Sequence, residues 1–143
     1  MHQKNLATKK TFDSALHNHQ KKKFKVAENL YKKILKIDPN HFESIFYLGV
    51  LFLECNNFDG AKKLFQKVIQ IKPDYAPAHN NLGIIFNASE EVQKAISSYR
   101  KAIQIQPNYA HAHNNLGMVF RELGEFEKAI SSYQMAIKIQ SNY

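Results

Sequence analysis

The sequence predicts an all-α protein, a solenoid of stacked antiparallel helix pairs, and three observations carry that prediction. The hexapeptide AHNNLG stands at residues 78–83 and again at 112–117, an interval of 34 residues, and residues 76–109 and 110–143 agree at 21 of 34 positions. The same shift reaches backwards: Gly49, Gly83 and Gly117 fall in step, as do Ala27, Ala61, Ala95 and Ala129. So do the aromatics Tyr31, Phe65, Tyr99 and Tyr133, and the prolines Pro39, Pro73 and Pro107. A fixed period of this length marks stacked supersecondary units, none of which buries its apolar face alone. Four units follow, 8–41, 42–75, 76–109 and 110–143, after an N-terminal tail of residues 1–7.

Each unit reads as two helices. In the third, Ala78, Leu82, Ile85 and Phe86 recur at helical spacing, and Val92, Ala95, Ile96, Tyr99, Ala102 and Ile103 form a second stripe. Pro107 ends the second helix, because proline lacks an N–H and disfavours helical geometry in the residue before it. Ser89 is placed to cap that helix, with Glu90 and Glu91 in its first turn. A glycine inside a helix costs about 1 kcal/mol relative to alanine, so its return in three first helices implies close approach of a neighbouring helix. The in-register alanines point the same way, with the aromatics filling the space beside them.

These residues resemble the tetratricopeptide repeat family, whose helix–turn–helix pattern places a small residue, an alanine, an aromatic and a proline at these offsets. The likeness covers residues 8–143 and implies a right-handed superhelix with a concave face lined by the first helices. Two departures stand out. Thr11, Ser14 and Asn18 replace bulkier residues in the first helix of unit one, and Ser141 stands where proline is expected.

The resemblance implies that the concave face binds an extended peptide or a partner helix. Its lining positions correspond in unit two to Glu43, Phe46, Tyr47, Val50 and Leu53. In unit three they are Pro77, Asn80, Asn81, Ile84 and Asn87, and in unit four His111, Asn114, Asn115, Met118 and Arg121. An asparagine amide offers both a donor and an acceptor, so it satisfies a peptide main chain whatever the peptide's side chains. Asn81 and Asn115 are similar to the asparagine ladder of the repeat arrays in the O-linked N-acetylglucosamine transferase family, where such residues grip substrate backbone. Asp13 and Tyr47 hold the equivalent positions in the first two units, so a ladder here has two rungs. Asparagines near helix starts also cap helices or bond to adjacent loops, and that reading stands beside the first. The two-carboxylate clamp of other family members needs basic and amide residues where this chain has Phe12, Leu16, Tyr47, His111 and Asn115.

Catalysis finds little support: no nucleophile, acid–base pair or phosphate loop is evident, and no cofactor or metal is implied. His111 and His113 are two apart and face different sides of a helix, a poor metal pair. His79 and His113 recur at one repeat position, where packing is expected. Cys55 reads as an inert, semi-buried thiol. As the only cysteine it leaves no intramolecular disulfide. The apolar stretch around Phe46–Leu53 is far below the roughly 20 residues of a membrane span, and the polar, basic start is no secretory signal. A cytoplasmic protein is the expectation. Of the 20 basic residues, ten lysines lie in residues 1–41 against Asp13, Glu28 and Asp38. KKKFK at Lys21–Lys25 reads as a solvated face rather than a nucleic-acid site, since aromatic residues hardly interleave with it.

The leading expectation is thus a noncatalytic adaptor or scaffold for protein partners. Two others accompany it. AHNNLG and ENLYKKILKIDPNH resemble the arrays that precede glycosyltransferase or sulfotransferase domains, so the chain is alternatively a substrate-recruiting segment of such an enzyme. Self-assembly is the third, through an uncapped last helix with Phe126, Ile130, Tyr133 and Ile137 on one stripe.

Overall fold

The computed structural model describes residues 2–142, with side chains from Leu6 onward. Among these residues it is helical throughout: α1 (His2–Gln20), α2 (Phe24–Ile37), α3 (Phe42–Glu54), α4 (Phe58–Ile71), α5 (Ala76–Ala88), α6 (Val92–Ile105), α7 (Ala110–Glu122) and α8 (Phe126–Ser141). The chain divides into two units, one ending at Ile71 and one beginning at Lys72.

In the first unit α1 packs on α2 and α3 on α4, with α2 joining the pairs. Ala15, Ala27, Tyr31, Leu48 and Leu51 form the buried centre. The second unit repeats the arrangement with α5 on α6, α7 on α8 and α6 between the pairs, around Ala95, Ile96, Tyr99, Leu116, Val119, Phe120 and Ala129. α2, α4 and α6 each turn a small residue and an aromatic inward: Ala27 and Tyr31, Ala61 and Phe65, Ala95 and Tyr99 are all buried. Full burial of one such aromatic contributes about 1.5–3 kcal/mol. Burial, and next the charge of Glu122, also holds the Tyr99 phenol well above its usual range.

The in-step glycines sit under the in-step aromatics. A Cβ at Gly49 would lie 2.9 Å from Phe65 Cε1, one at Gly83 2.5 Å from Tyr99 Cε1, and one at Gly117 2.8 Å from Tyr133 Cε1. The close approach inferred from the cost of a mid-helix glycine is therefore a ring laid against a bare Cα.

The turns inside the pairs repeat just as closely. Lys22, Asn56, Glu90 and Gly124 all adopt positive φ, at 56°, 57°, 60° and 74°. The next residue's N–H closes the turn in each case: Lys23 to Asn18 O, Asn57 to Phe52 O, Glu91 to Phe86 O and Glu125 to Phe120 O, at 2.8–2.9 Å. This is the Schellman ending, which satisfies carbonyls that a helix end otherwise leaves unpaired.

It also corrects the reading of Ser89. That residue ends α5, and α6 begins after Glu91 without a side-chain cap, because the left-handed residue at 90 forces the reversal before a serine cap can form. Asn57 does cap in the first unit, its Oδ1 accepting from Gly60 N at 3.0 Å.

The helix ends follow proline. α2, α4 and α6 stop at Ile37, Ile71 and Ile105, two residues before each proline, whereas α8 continues to Ser141. There the Ser141 hydroxyl donates to Ile137 O at 2.9 Å. At the other end α1 already begins at His2, so helix runs through the segment assigned to a tail. In α1 the unusual polar residues bond back along the helix, Thr11 to Ala7 O at 2.9 Å and Asn18 to Ser14 O at 2.8 Å.

Candidate peptide-binding face

The recurring histidines tie turns to helices. His79 Nε2 lies 2.8 Å from Pro73 O and His113 Nε2 2.9 Å from Pro107 O. Packing alone was expected of them; a hydrogen bond to the preceding turn is what the geometry shows. In the first unit Ile45 occupies their position, and Lys67 Nζ takes the Pro39 carbonyl at 2.6 Å instead. His111, two residues from His113, is exposed with its ring 5.9 Å from that of Tyr109.

The predicted lining residues separate by burial into three groups. Phe46 and Asn80 are buried, so they offer a partner little surface: the Phe46 ring packs 5.8 Å from Phe65 and 5.3 Å from Tyr47. Tyr47, Val50, Pro77, Asn81, Ile84, Asn87 and Asn115 are half-buried, and His111, Asn114, Met118 and Arg121 are exposed. Glu43 is exposed as well and Leu53 half-buried.

The four asparagines of the two hexapeptides differ in their surroundings. Asn115 Nδ2 donates to Asn80 Oδ1 at 3.0 Å, an amide bridge between α5 and α7. Asn114 Nδ2 contacts Met118 Sδ at 3.7 Å. Asn81 shares the first-helix face with them, half-buried at the repeat position of Asn115. One rung of the expected ladder thus spends its donor inside the protein. Sequence spacing cannot foresee this, because positions 80 and 115 come together only when the repeats stack.

Cys55 departs from its expectation. It is exposed, at the end of α3. Lys21, Lys22, Lys23 and Lys25 are exposed, and Lys32 pairs with Glu28 at 2.6 Å. No group of three or more metal-ligating side chains converges among the described residues, and none of the helices is long and apolar enough to cross a membrane.

With the geometry in view, comparison decides the family. Two models described as "Tetratricopeptide repeat" match residues 19–84 and 74–142. The chain belongs to the tetratricopeptide repeat family. A crystal structure of MamA protein is 31% identical with a TM-score of 0.79, over 95% of this chain and 74% of that one. MamA from Desulfovibrio magneticus RS-1, at 20% identity, superposes with a TM-score of 0.83 over 94% of this chain and 76% of that one, a likeness of fold. The Thermobaculum terrenum O-GlcNAc transferase is 28% identical with a TM-score of 0.76, over 81% of this chain but only 22% of the transferase. No curated protein sequence matched.

The tetratricopeptide assignment makes the chain a helical protein–protein interaction module, and neither matched model belongs to a catalytic family. Sequence reasoning passed over His19 in this repeat framework. It stands one repeat before Leu53, at a lining position, and that register was the signal available.

Proposed function

We propose that this protein is a noncatalytic cytoplasmic adaptor whose first-helix faces bind an extended peptide, with Asn81 and Asn115 holding its main chain. The observation that carries this reading is the state of the two amides. The Asn81 side chain makes no hydrogen bond among the described residues, and the bridge to Asn80 uses only the Nδ2 side of Asn115. Half-buried amides of this kind meet a main chain at little cost in side-chain entropy.

The test is retention of a degenerate pool of capped hexapeptides on the immobilised chain. Asn81→Ala is expected to lower retention several-fold, the loss of one or two hydrogen bonds, while the melting temperature stays within about 2 °C. Asn115→Ala should lower both, because Asn80 Oδ1, 4% exposed, loses its partner. Unchanged retention by the Asn81 variant would sink the reading.

A second reading, self-association, has its own observation. On α8 Phe126, Ile130 and Ile137 are 64%, 55% and 62% exposed. Their counterparts on α6, Val92, Ile96 and Ile103, lie in the cluster that α7 covers with Leu116, Val119 and Phe120. On α1 the residues in register with those three are Ser14, His17 and Asn18, too polar to serve as that cover. A second copy would therefore meet α8 with its own α8, a two-fold contact. Sedimentation velocity across a concentration series should show a dimer that Ile130→Glu abolishes. A monomer at every concentration rejects it.

A further inference from the structure

The first unit carries a surface that the peptide-binding face leaves unused. Nine lysines lie between Lys9 and Lys36, all exposed, against Asp13, Glu28 and Asp38. Glu28 is taken up by Lys32 at 2.6 Å, and the Asp38 carboxylate accepts from Asn40 N at 3.1 Å. The other lysines of this segment make no ion pair among the described residues.

Their placement has a pattern. On α2, Lys25, Lys32 and Lys36 follow at i, i+7 and i+11, one row along the helix. Beside it Val26, Lys33 and Ile37 repeat that spacing, and Val26 and Ile37 are 47% and 49% exposed. Ala7 and Thr11 of α1 share a cleft of about 150 Å³ with Lys33 and Ile37, so α1 continues this surface. There Leu6 is 53% exposed, with exposed Lys10 one turn on. On α4 the counterparts of Lys25, Val26, Lys32 and Lys36 are Asp59, Gly60, Gln66 and Gln70, and the counterpart of Lys33 is Lys67, which bonds to Pro39 O at 2.6 Å. The repeat is therefore built on α4 without the two rows, and packing does not account for them on α2.

Unpaired lysines in this number repel one another and gain by approaching a negatively charged surface. Aliphatic side chains set between them gain only where the partner also offers hydrocarbon. A nucleic acid offers phosphates without a hydrocarbon layer, and the first unit has no arginine, the residue suited to bidentate phosphate contact; Arg100 and Arg121 lie in the second unit. A bilayer with acidic headgroups offers both, phosphate charge at its surface and acyl chains beneath. Leu6, Val26 and Ile37 can enter the boundary while the flexible lysine stems keep their ammonium groups at headgroup level. We propose that this face of the first unit docks on a bilayer surface containing anionic phospholipid, so that the chain holds its bound partner beside a membrane.

Co-sedimentation of the full chain with phosphatidylcholine vesicles, with and without phosphatidylglycerol, tests the proposal. Binding is expected only where phosphatidylglycerol is present, and it should weaken as salt is raised. Lys25→Gln with Lys33→Gln and Lys36→Gln should lower it about a hundredfold, at about fivefold for each lysine. Val26→Ser with Ile37→Ser keeps every charge and should lower it about tenfold, while binding to duplex DNA stays as it was. All five positions are exposed, so both variants should keep the helical circular dichroism and the peptide retention of the parent chain. Equal binding to the two kinds of vesicle, or binding to neither, overturns the proposal. So does undiminished vesicle binding by the serine variant, since the aliphatic side chains then touch no hydrocarbon. Duplex DNA bound more tightly than phosphatidylglycerol vesicles at the same salt assigns the lysines to nucleic acid instead.

Discussion

Phe65→Ala is expected to cost about 3–5 kcal/mol and to lower the melting temperature by about 10–20 °C. Phe65 is wholly buried on α4. Its ring fills the hollow over Gly49, where a Cβ would stand 2.9–3.2 Å from three ring atoms, and lies 5.8 Å from the Phe46 ring. Removing it leaves a cavity whose near wall is a glycine, with no side chain to swing inward. Ala61, one turn before, is equally short. The site therefore collapses poorly, and the cost falls toward the upper part of the range for such truncations. Against a typical total stability of about 5–15 kcal/mol, this is about a fifth or more. Thermal unfolding followed by helical circular dichroism checks it, and a drop of only a few degrees would show that Phe46 repacks into the space.

The packing role of Phe65 follows from its place in the repeat. A glycine recurring in three first helices implies close approach of a neighbouring helix, and at all three the approaching group is the ring of the in-step aromatic. The helix pairs were readable for the same reason, since each element is set by apolar spacing and by proline. What was not readable depended on atoms brought together by stacking. The turns required left-handed backbone at Lys22, Asn56, Glu90 and Gly124, three of them without glycine, so composition gave no warning and Ser89 looked like a cap. Phe46 held a lining register, yet its ring turns toward Phe65. Asn80 looked as available as Asn81 until Asn115 was seen to bond to it across 35 residues. His19 carried a legible position but an illegible state. Its burial and its contact with Tyr31 arise from helix packing alone.

Gly83→Ala should destabilise the second unit by about 1–2 kcal/mol, even though the same change in an unconstrained helix gains about 1 kcal/mol. The new methyl would sit 2.5, 2.7 and 2.9 Å from Tyr99 Cε1, Cδ1 and Cζ. Tyr99 is 2% exposed and packed with Ala95, Leu116, Val119 and Phe120, so its ring cannot retreat, and overpacking of this kind costs about 1–3 kcal/mol. Gly117→Ala should be milder. Tyr133 is only half-buried and its nearest ring atom is 2.8 Å away, which leaves the ring room to move by the few tenths required. Gly49→Ala also faces a wholly buried ring, but its contacts of 2.9, 3.1 and 3.2 Å are longer than those at Gly83, so the smaller crowding is offset by the gain in propensity and the change should lie near neutral. The effect reaches the binding face as well. Pushing α5 off Tyr99 shifts Asn80 and Asn81, three and two residues before Gly83 on that helix, and strains the amide bridge to Asn115. Peptide retention by Gly83→Ala should therefore fall together with its melting temperature, whereas Gly49→Ala leaves both unchanged. Equal melting temperatures for the Gly83 and Gly49 variants would mean that α5 and α6 slide apart freely, and the packing account of the repeated glycine would be wrong.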